Sequence, residues 1–174
     1  MVQGKQHIPA ATLPDIAAYL GLPLPTHGLS AYTDNQIVDV VGVLMTGSWN
    51  EAGVSTRPLG KHIFPLAPDP RYADQKQYSM LVGSADVTDL LVGEYGHFFQ
   101  LGPDDNLVHD DIVHVKTSKA DLVENSARRV RIVAGQVWLD TDAINGTKKK
   151  STKFPAPNIT VVGVLIGVYR QFRR

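Results

Sequence analysis

From Asn35 onward, apolar residues come in short runs rich in Val, Ile, Thr and aromatic side chains, each closed by Gly, Pro, Asn or Asp. Branched and aromatic side chains pack well on a pleated surface, whereas the closing residues supply or preset the backbone angles of a reversal. The pattern predicts strands near Ile37–Thr46, Tyr78–Gly83, Asp86–Val92, His97–Leu101, Leu107–Thr117, Arg128–Leu139 and Ile159–Arg170. The clearest turns are Gly102-Pro103-Asp104-Asp105-Asn106 and Asn145-Gly146. About seven or eight strands with short turns make an all-β fold, a single jelly roll or a β-sandwich or barrel.

The first 34 residues differ. Pro9, Pro14, Pro23 and Pro25 punctuate them, which suits an extended arm better than a sheet. One short helix is expected inside the arm: Thr12 caps it, Pro14 and Asp15 suit its first turn, and Gly21 ends it. Residues 1–34 therefore read as an N-terminal arm, and residues 35–174 as one β domain. The Pro- and Gly-rich stretch Asn50–Arg71 reads as a long ordered loop within that domain.

Val40-Val41-Gly42-Val43-Leu44 recurs as Val161-Val162-Gly163-Val164-Leu165. Apolar side chains at successive positions suit strands buried on both faces, and the glycine lets a backbone or a bulky side chain approach closely. Both copies are expected to be central core or interface strands. Val41, Val43, Ile132, Val137, Val162, Val164 and Ile166 are expected in the core or in a contact between subunits.

Composition narrows the classes. Hydrophobic residues are 43% of the 174 and charged ones 20%, which suits a packed globular domain. Seventeen basic residues balance seventeen acidic ones, so no whole-molecule field steers the chain to nucleic acid, and no sequence-specific nucleic-acid partner is expected. The absence of cysteine removes disulfides, thiolate metal sites and cysteine nucleophiles together. Met1–His7 lacks a secretory pattern, which predicts synthesis in the cytoplasm. The longest apolar stretch, Ile159–Tyr169, has 11 residues, short of the ~18 of a spanning helix.

Candidate chemistry is sparse. His109, Asp110, Asp111 and His114, with His97, are the residue types that hold zinc, iron or manganese. On a regular strand His109 and Asp111 face one way, Asp110 and His114 the other, so a solvated edge with paired charges is the better reading. No Gly-x-Ser-x-Gly element, phosphate-binding loop or dinucleotide fingerprint occurs. No enzymatic activity, metal or cofactor is expected. Trp49, Tyr95, Phe98 and Phe99 could form an aromatic ligand platform, but Phe98 and Phe99 should serve opposite faces of one strand.

The C-terminal part is basic: Lys148, Lys149, Lys150, Lys153, Arg170, Arg173 and Arg174 have no Asp or Glu among them after Asp142. The run reads as a solvated loop and tail, or as a contact for phosphate headgroups, nucleic acid or an acidic partner.

The Pro-rich arm, the strand layout from about Asn35 and a last strand reaching the C-terminal residues resemble the small single-jelly-roll major capsid proteins of tailless double-stranded DNA viruses with an internal membrane. The resemblance implies a virion structural protein in an icosahedral capsid, produced in the host cytoplasm. Its implied partners are further copies, a second capsid protein and the viral membrane. The arm residues Ile8, Leu13, Ile16, Leu20, Leu22 and Leu24 and the C-terminal residues Val162, Val164, Ile166, Arg170, Arg173 and Arg174 are the expected interface. Two alternatives remain: a carbohydrate- or other ligand-binding β-sandwich using Trp49, Tyr95 or Phe98, and a small metal-dependent enzyme built on His97, His109, Asp111 and His114.

Overall fold

The computed structural model describes residues 38–51, 66–142 and 148–170. The arm with its expected helix, including Ile8, Leu13, Ile16, Leu20, Leu22 and Leu24, lies outside the described residues, as do Arg173, Arg174, the Asn145-Gly146 turn and most of the Asn50–Arg71 loop.

The described residues form an all-β structure, as the run pattern predicts. Its strands are β1 (Val40–Met45), β2 (Asn50–Glu51), β3 (Gln77–Ser84), β4 (Tyr95–Gln100), β5 (Ile112–Lys119), β6 (Leu122–Val133), β7 (Gln136–Asp140), β8 (Ser151–Phe154) and β9 (Ile159–Tyr169). They join in one mixed sheet in the order β1-β3-β4-β9-β5-β6-β7-β8. Only the β1–β3 pairing is parallel among these neighbours. β2 pairs with the start of β6, so the sheet curls back toward its first strand.

The C-terminal strand β9 fills the place between β4 and β5. Its apolar run meets a core on each face, Val162 and Leu165 on one and Val161 and Val164 on the other, as the Val-Val-Gly-Val-Leu pattern requires. It skips one residue at Val162 and another at Ile166 relative to its neighbours, two bulges that reset which side chains face inward. The first copy behaves differently: β1 is a terminal strand of the hydrogen-bonded order, and Val41 is 41% exposed. A central core position thus holds for β9, whereas β1 stands at the end of the hydrogen-bonded order of the described strands.

Three further expectations are corrected. Asp86–Val92 is not a strand but a turn-rich loop. Its amides are taken by carboxylates, Thr88 N donating to Asp142 and Leu91 N to Glu94, while Val87 and Leu90 anchor it in the core. Arg128–Leu139 is not one strand, because Ala134 and Gly135, with φ of 49° and 74°, form a two-residue reversal between β6 and β7. Residues 107–111 precede β5 as a turn: Asp110 has a φ of 73°, and the Asp111 carboxylate accepts from Val108 N at 2.7 Å. β8 and the first half of β6, Leu122–Ala127, are strands outside the predicted set.

Two cores lie on the two faces. The inner face, within the curl, buries Leu44, Tyr78, Met80, Val82, Phe98, Ile112 and Ala127 with the loop residues Val87 and Leu90. The other face buries Val113, Val115, Val130, Leu139 and Val164, with Ile132, Val137, Phe154 and Val161 packed around them. Strand alternation explains the division: Ile112 and Val113, like Phe98 and Phe99, are neighbours that serve different cores. Each fully buried Val or Leu contributes about 1.5–3 kcal/mol relative to exposure. Val164 is buried inside its own subunit, and Val162 packs against the inner core. Lys148, Lys149, Lys150 and Lys153 flank or occupy the outermost strand β8, where charge discourages pairing with a second sheet.

Candidate functional site

The inner core is not wholly apolar. Tyr78 on β3, His114 on β5 and Asn125 on β6 form a chain across it, with the Tyr78 hydroxyl 2.9 Å from His114 Nδ1 and His114 Nε2 3.0 Å from Asn125 Oδ1. An amide oxygen only accepts, so Nε2 carries the ring proton and Nδ1 accepts from the tyrosine hydroxyl. Burial pushes the Tyr78 phenol up and the His114 imidazole down to about 4, so both are neutral at pH 7. Phe98 stacks on the Tyr78 ring, with centroids 5.6 Å apart.

Gly163 makes this arrangement sterically open. A Cβ there would stand 2.3 Å from the Phe99 carbonyl oxygen and 2.5 Å from the Tyr78 hydroxyl. The second copy of the repeated motif thus carries glycine where a backbone and a bulky side chain both approach.

Beside the chain lies a cleft of about 400 Å³. Val41 and Gly42 of β1, Asn50 and Glu51 of β2, and Val123 and Asn125 of β6 line it. Lys76, Tyr78 and Met80 come from the β3 side, Gln100 from β4, His114 and Lys116 from β5, and Val162 from β9. None of these was singled out by the sequence as a ligand group, except His114 in a different role.

The metal candidates do not converge. His114 is buried in the inner core, whereas His109 is exposed in the turn before β5, its Nδ1 accepting from Ile132 N at 3.0 Å. Asp110 lies 3.7 Å from His109, and Asp111 caps its own turn. His97 is buried on the face opposite Phe98, against Tyr169, and burial lowers its pKa. Across β3–β4 it faces Ser79; His97 Nε2 and Ser79 Oγ are both buried and make no hydrogen bond. No group of three or more His, Asp or Glu side chains suited to a metal occurs among the described residues.

Phe98 and Phe99 serve opposite faces of β4, as expected of neighbours on one strand, and so do not share a platform. Phe98 is fully buried, Phe99 stacks on Tyr72 at 4.6 Å between centroids, Trp49 lies partly exposed after β1, and Tyr95 opens β4.

A different surface feature emerges at the end of the sheet where β1, β3 and β9 finish and β4 begins. Val92 is 73% exposed and Leu91 51%, both in the loop between β3 and β4. Met45, opposite the last residue of β3, and Val168, opposite Gly96 of β4, are exposed too. Arg170 follows β9 at this end and is committed to Glu94, with Nε 2.8 Å from the carboxylate. Lys149 likewise pairs with Asp140 at 2.9 Å, so the basic C-terminal run is in part locally neutralised.

No helix among the described residues is long and apolar enough to cross a membrane. No protein-family model matches the chain, and no curated protein matches it.

Proposed function

We propose that the protein is a structural subunit that assembles with further copies of itself into a shell, of the kind a virion capsid requires. The observation that carries this reading is that Met45, Leu91, Val92 and Val168, four of the nine large apolar side chains exposed among the described residues, gather at one end of the sheet. Such side chains in water lose the stabilisation that burial against another surface gives, about 1.5–3 kcal/mol each. A second copy is the favoured occupant, since a chain with formal net charge +0 does not repel its own copies. The arm residues Ile8, Leu13, Ile16, Leu20, Leu22 and Leu24 supply further apolar side chains for a neighbour. The specific setting, an icosahedral virion with a second capsid protein and a membrane nearby, rests on the family resemblance alone.

The test is the mass of the full chain by sedimentation across a concentration series. Discrete dimers or larger closed species are expected, and Leu91→Gln with Val92→Glu should shift them toward monomer at unchanged melting temperature. A monomer at every concentration would reject the assembly role.

A further inference from the structure

We infer that the cleft beside Tyr78, His114 and Asn125 is a binding site for a small hydroxylated molecule carrying one oxyanion, either a carboxylate or a phosphate ester. This does not rest on the shell reading, since the site lies within one subunit.

The first argument is unused hydrogen-bonding capacity fixed in place. His114 holds the Asn125 oxygen, and no described group takes the Asn125 NH₂. The buried ring therefore orients a donor at the cleft wall. The tyrosine and histidine are neutral and already paired with each other, so the floor offers neither a fixed charge nor an acid–base group to the occupant.

The second argument is charge. Lys76 and Lys116 line the cleft and make no ion pair with any described residue. All five described arginines are committed, Arg71 to Asp69, Arg128 to Asp86, Arg129 to Asp89 and Asp142, Arg131 to Asp140 and Arg170 to Glu94, whereas Lys149 alone of the described lysines is paired, so what marks Lys76 and Lys116 is their place at the cleft. Two uncommitted ammonium groups and an amide donor around one space favour an oxyanion. Glu51, equally uncommitted, gives the same space one acceptor for a hydroxyl and leaves the lining with a single positive charge in excess.

The third argument is size and the nature of the remaining wall. At about 400 Å³ the cleft stands near the lower end of small-ligand sites, which run from roughly 300 to 1,000 Å³. Val41, Met80, Val123 and Val162 provide apolar surface for a carbon skeleton. An occupant with one anionic end and a hydroxylated carbon body, of monosaccharide size, matches both kinds of wall.

The experiment titrates the full chain with gluconate, glucose 6-phosphate and neutral glucose, read by calorimetry and by the Asn125 side-chain amide resonances. Saturable binding of at least one anion, with displaced Asn125 NH₂ signals and no binding of glucose, is expected. The two anions separate carboxylate from phosphate recognition. Lys76→Gln with Lys116→Gln, both exposed positions, should weaken binding roughly tenfold or more at unchanged melting temperature, while Lys153→Gln leaves it intact. Asn125→Asp, nearly isosteric, should abolish it; should that variant fail to fold, the lysine pair decides. Absence of saturable binding by both anions, equal binding of glucose, or equal affinity in the lysine double variant would overturn the site.

Discussion

The two faces of the sheet solve burial differently. On the outer face Val113, Val115, Val130, Leu139 and Val164 form a wholly aliphatic cluster. On the inner face, Leu44, Met80, Val82 and Phe98 share space with a tyrosine hydroxyl, an imidazole and an amide that satisfy one another. The outer face gains stability mainly from area and tight packing, and the polar side chains buried on it, Ser79, His97 and Ser126, each carry an atom without a hydrogen-bond partner. The inner face accepts desolvated polar groups, which cost free energy unless every one is paired, and gains a fixed donor at a cleft. The contrast separates a face built for holding the sheet together from one that also presents chemistry.

The largest effect should come from breaking the aliphatic face. Val164→Asp places an unpaired carboxylate at a position 7% exposed between β4 and β5, so the loss should be several kcal/mol, read as a large fall in melting temperature. Leu139→Ala removes volume without charge and should cost about 2–5 kcal/mol by urea denaturation. A melting temperature unchanged in either variant would show that this face is not the core.

The inner face should instead reveal itself through pH. The folded pKa of His114, about 4, lies below the ordinary value of 6.5, so the unfolded chain binds more protons between these values. Stability is then fully present above about pH 6.5 and falls as pH drops toward 4, by roughly 3 kcal/mol at most. Asp142, held near 2 first by its hydrogen bonds from Arg129, titrates in a lower window, so the two losses are resolvable. Burial also lowers the pKa of His97, so His114→Gln should reduce the slope in the upper window without abolishing it and leave the lower window as it is; an unchanged slope between pH 6.5 and 4 in that variant assigns it elsewhere.

These two faces also differ in how far the sequence disclosed them. Runs such as Val161–Leu165 announce a strand covered on both sides, and their glycine announces a close approach, which Gly163 makes to Phe99 and Tyr78. The paired strand β6 begins with Leu122-Val123-Glu124-Asn125-Ser126, whose polar side chains mask a strand held by β5 and β2 rather than by an apolar period. The β6–β7 reversal was hidden because Ala134, an ordinary strand or helix residue, takes a positive φ beside Gly135. The cleft was illegible for another reason. Tyr78 and His114 stand 36 positions apart and His114 and Asn125 stand 11 apart, so only the strand order brings them together. The histidine run at 109–114 drew attention by its density, yet pairing at each end of it sends His109 outward and His114 inward.

Gly163→Ala tests the shared element of both faces, since the added Cβ would overlap the Phe99 carbonyl and the Tyr78 hydroxyl. Forced displacement of packed groups costs typically 1–3 kcal/mol, so an intermediate loss of stability is expected. Tyr78→Phe in the same background relieves only the hydroxyl and should recover part of that loss, because the backbone carbonyl of Phe99 remains. Complete recovery would mean that the hydroxyl alone demands glycine.

The smallest expected effect concerns the loop that covers the apolar end. Arg129 on β6 donates to Asp142 at 3.0 Å and also to Asp89, while Asp142 accepts from Thr88 N at 2.8 Å. Asp86 receives Arg128 at 3.0 Å. These pairs tie the β3–β4 loop, which carries Leu91 and Val92, to the end of β6 and the residues after β7. Both members of the Arg129–Asp142 pair are partly exposed, so water screens much of their attraction and the pair is worth only about 1 kcal/mol. Asp142→Asn keeps an acceptor for Thr88 while removing the charge, and Arg129 retains Asp89. The melting temperature should therefore fall by only a few degrees, with the loss shrinking in high salt. Amide exchange should rise selectively at Thr88–Leu91, because the loop opens without the sheet. A loss of several kcal/mol spread over all strands would instead make this ion cluster part of the cooperative core, and the loop at the apolar end as rigid as the sheet beneath it.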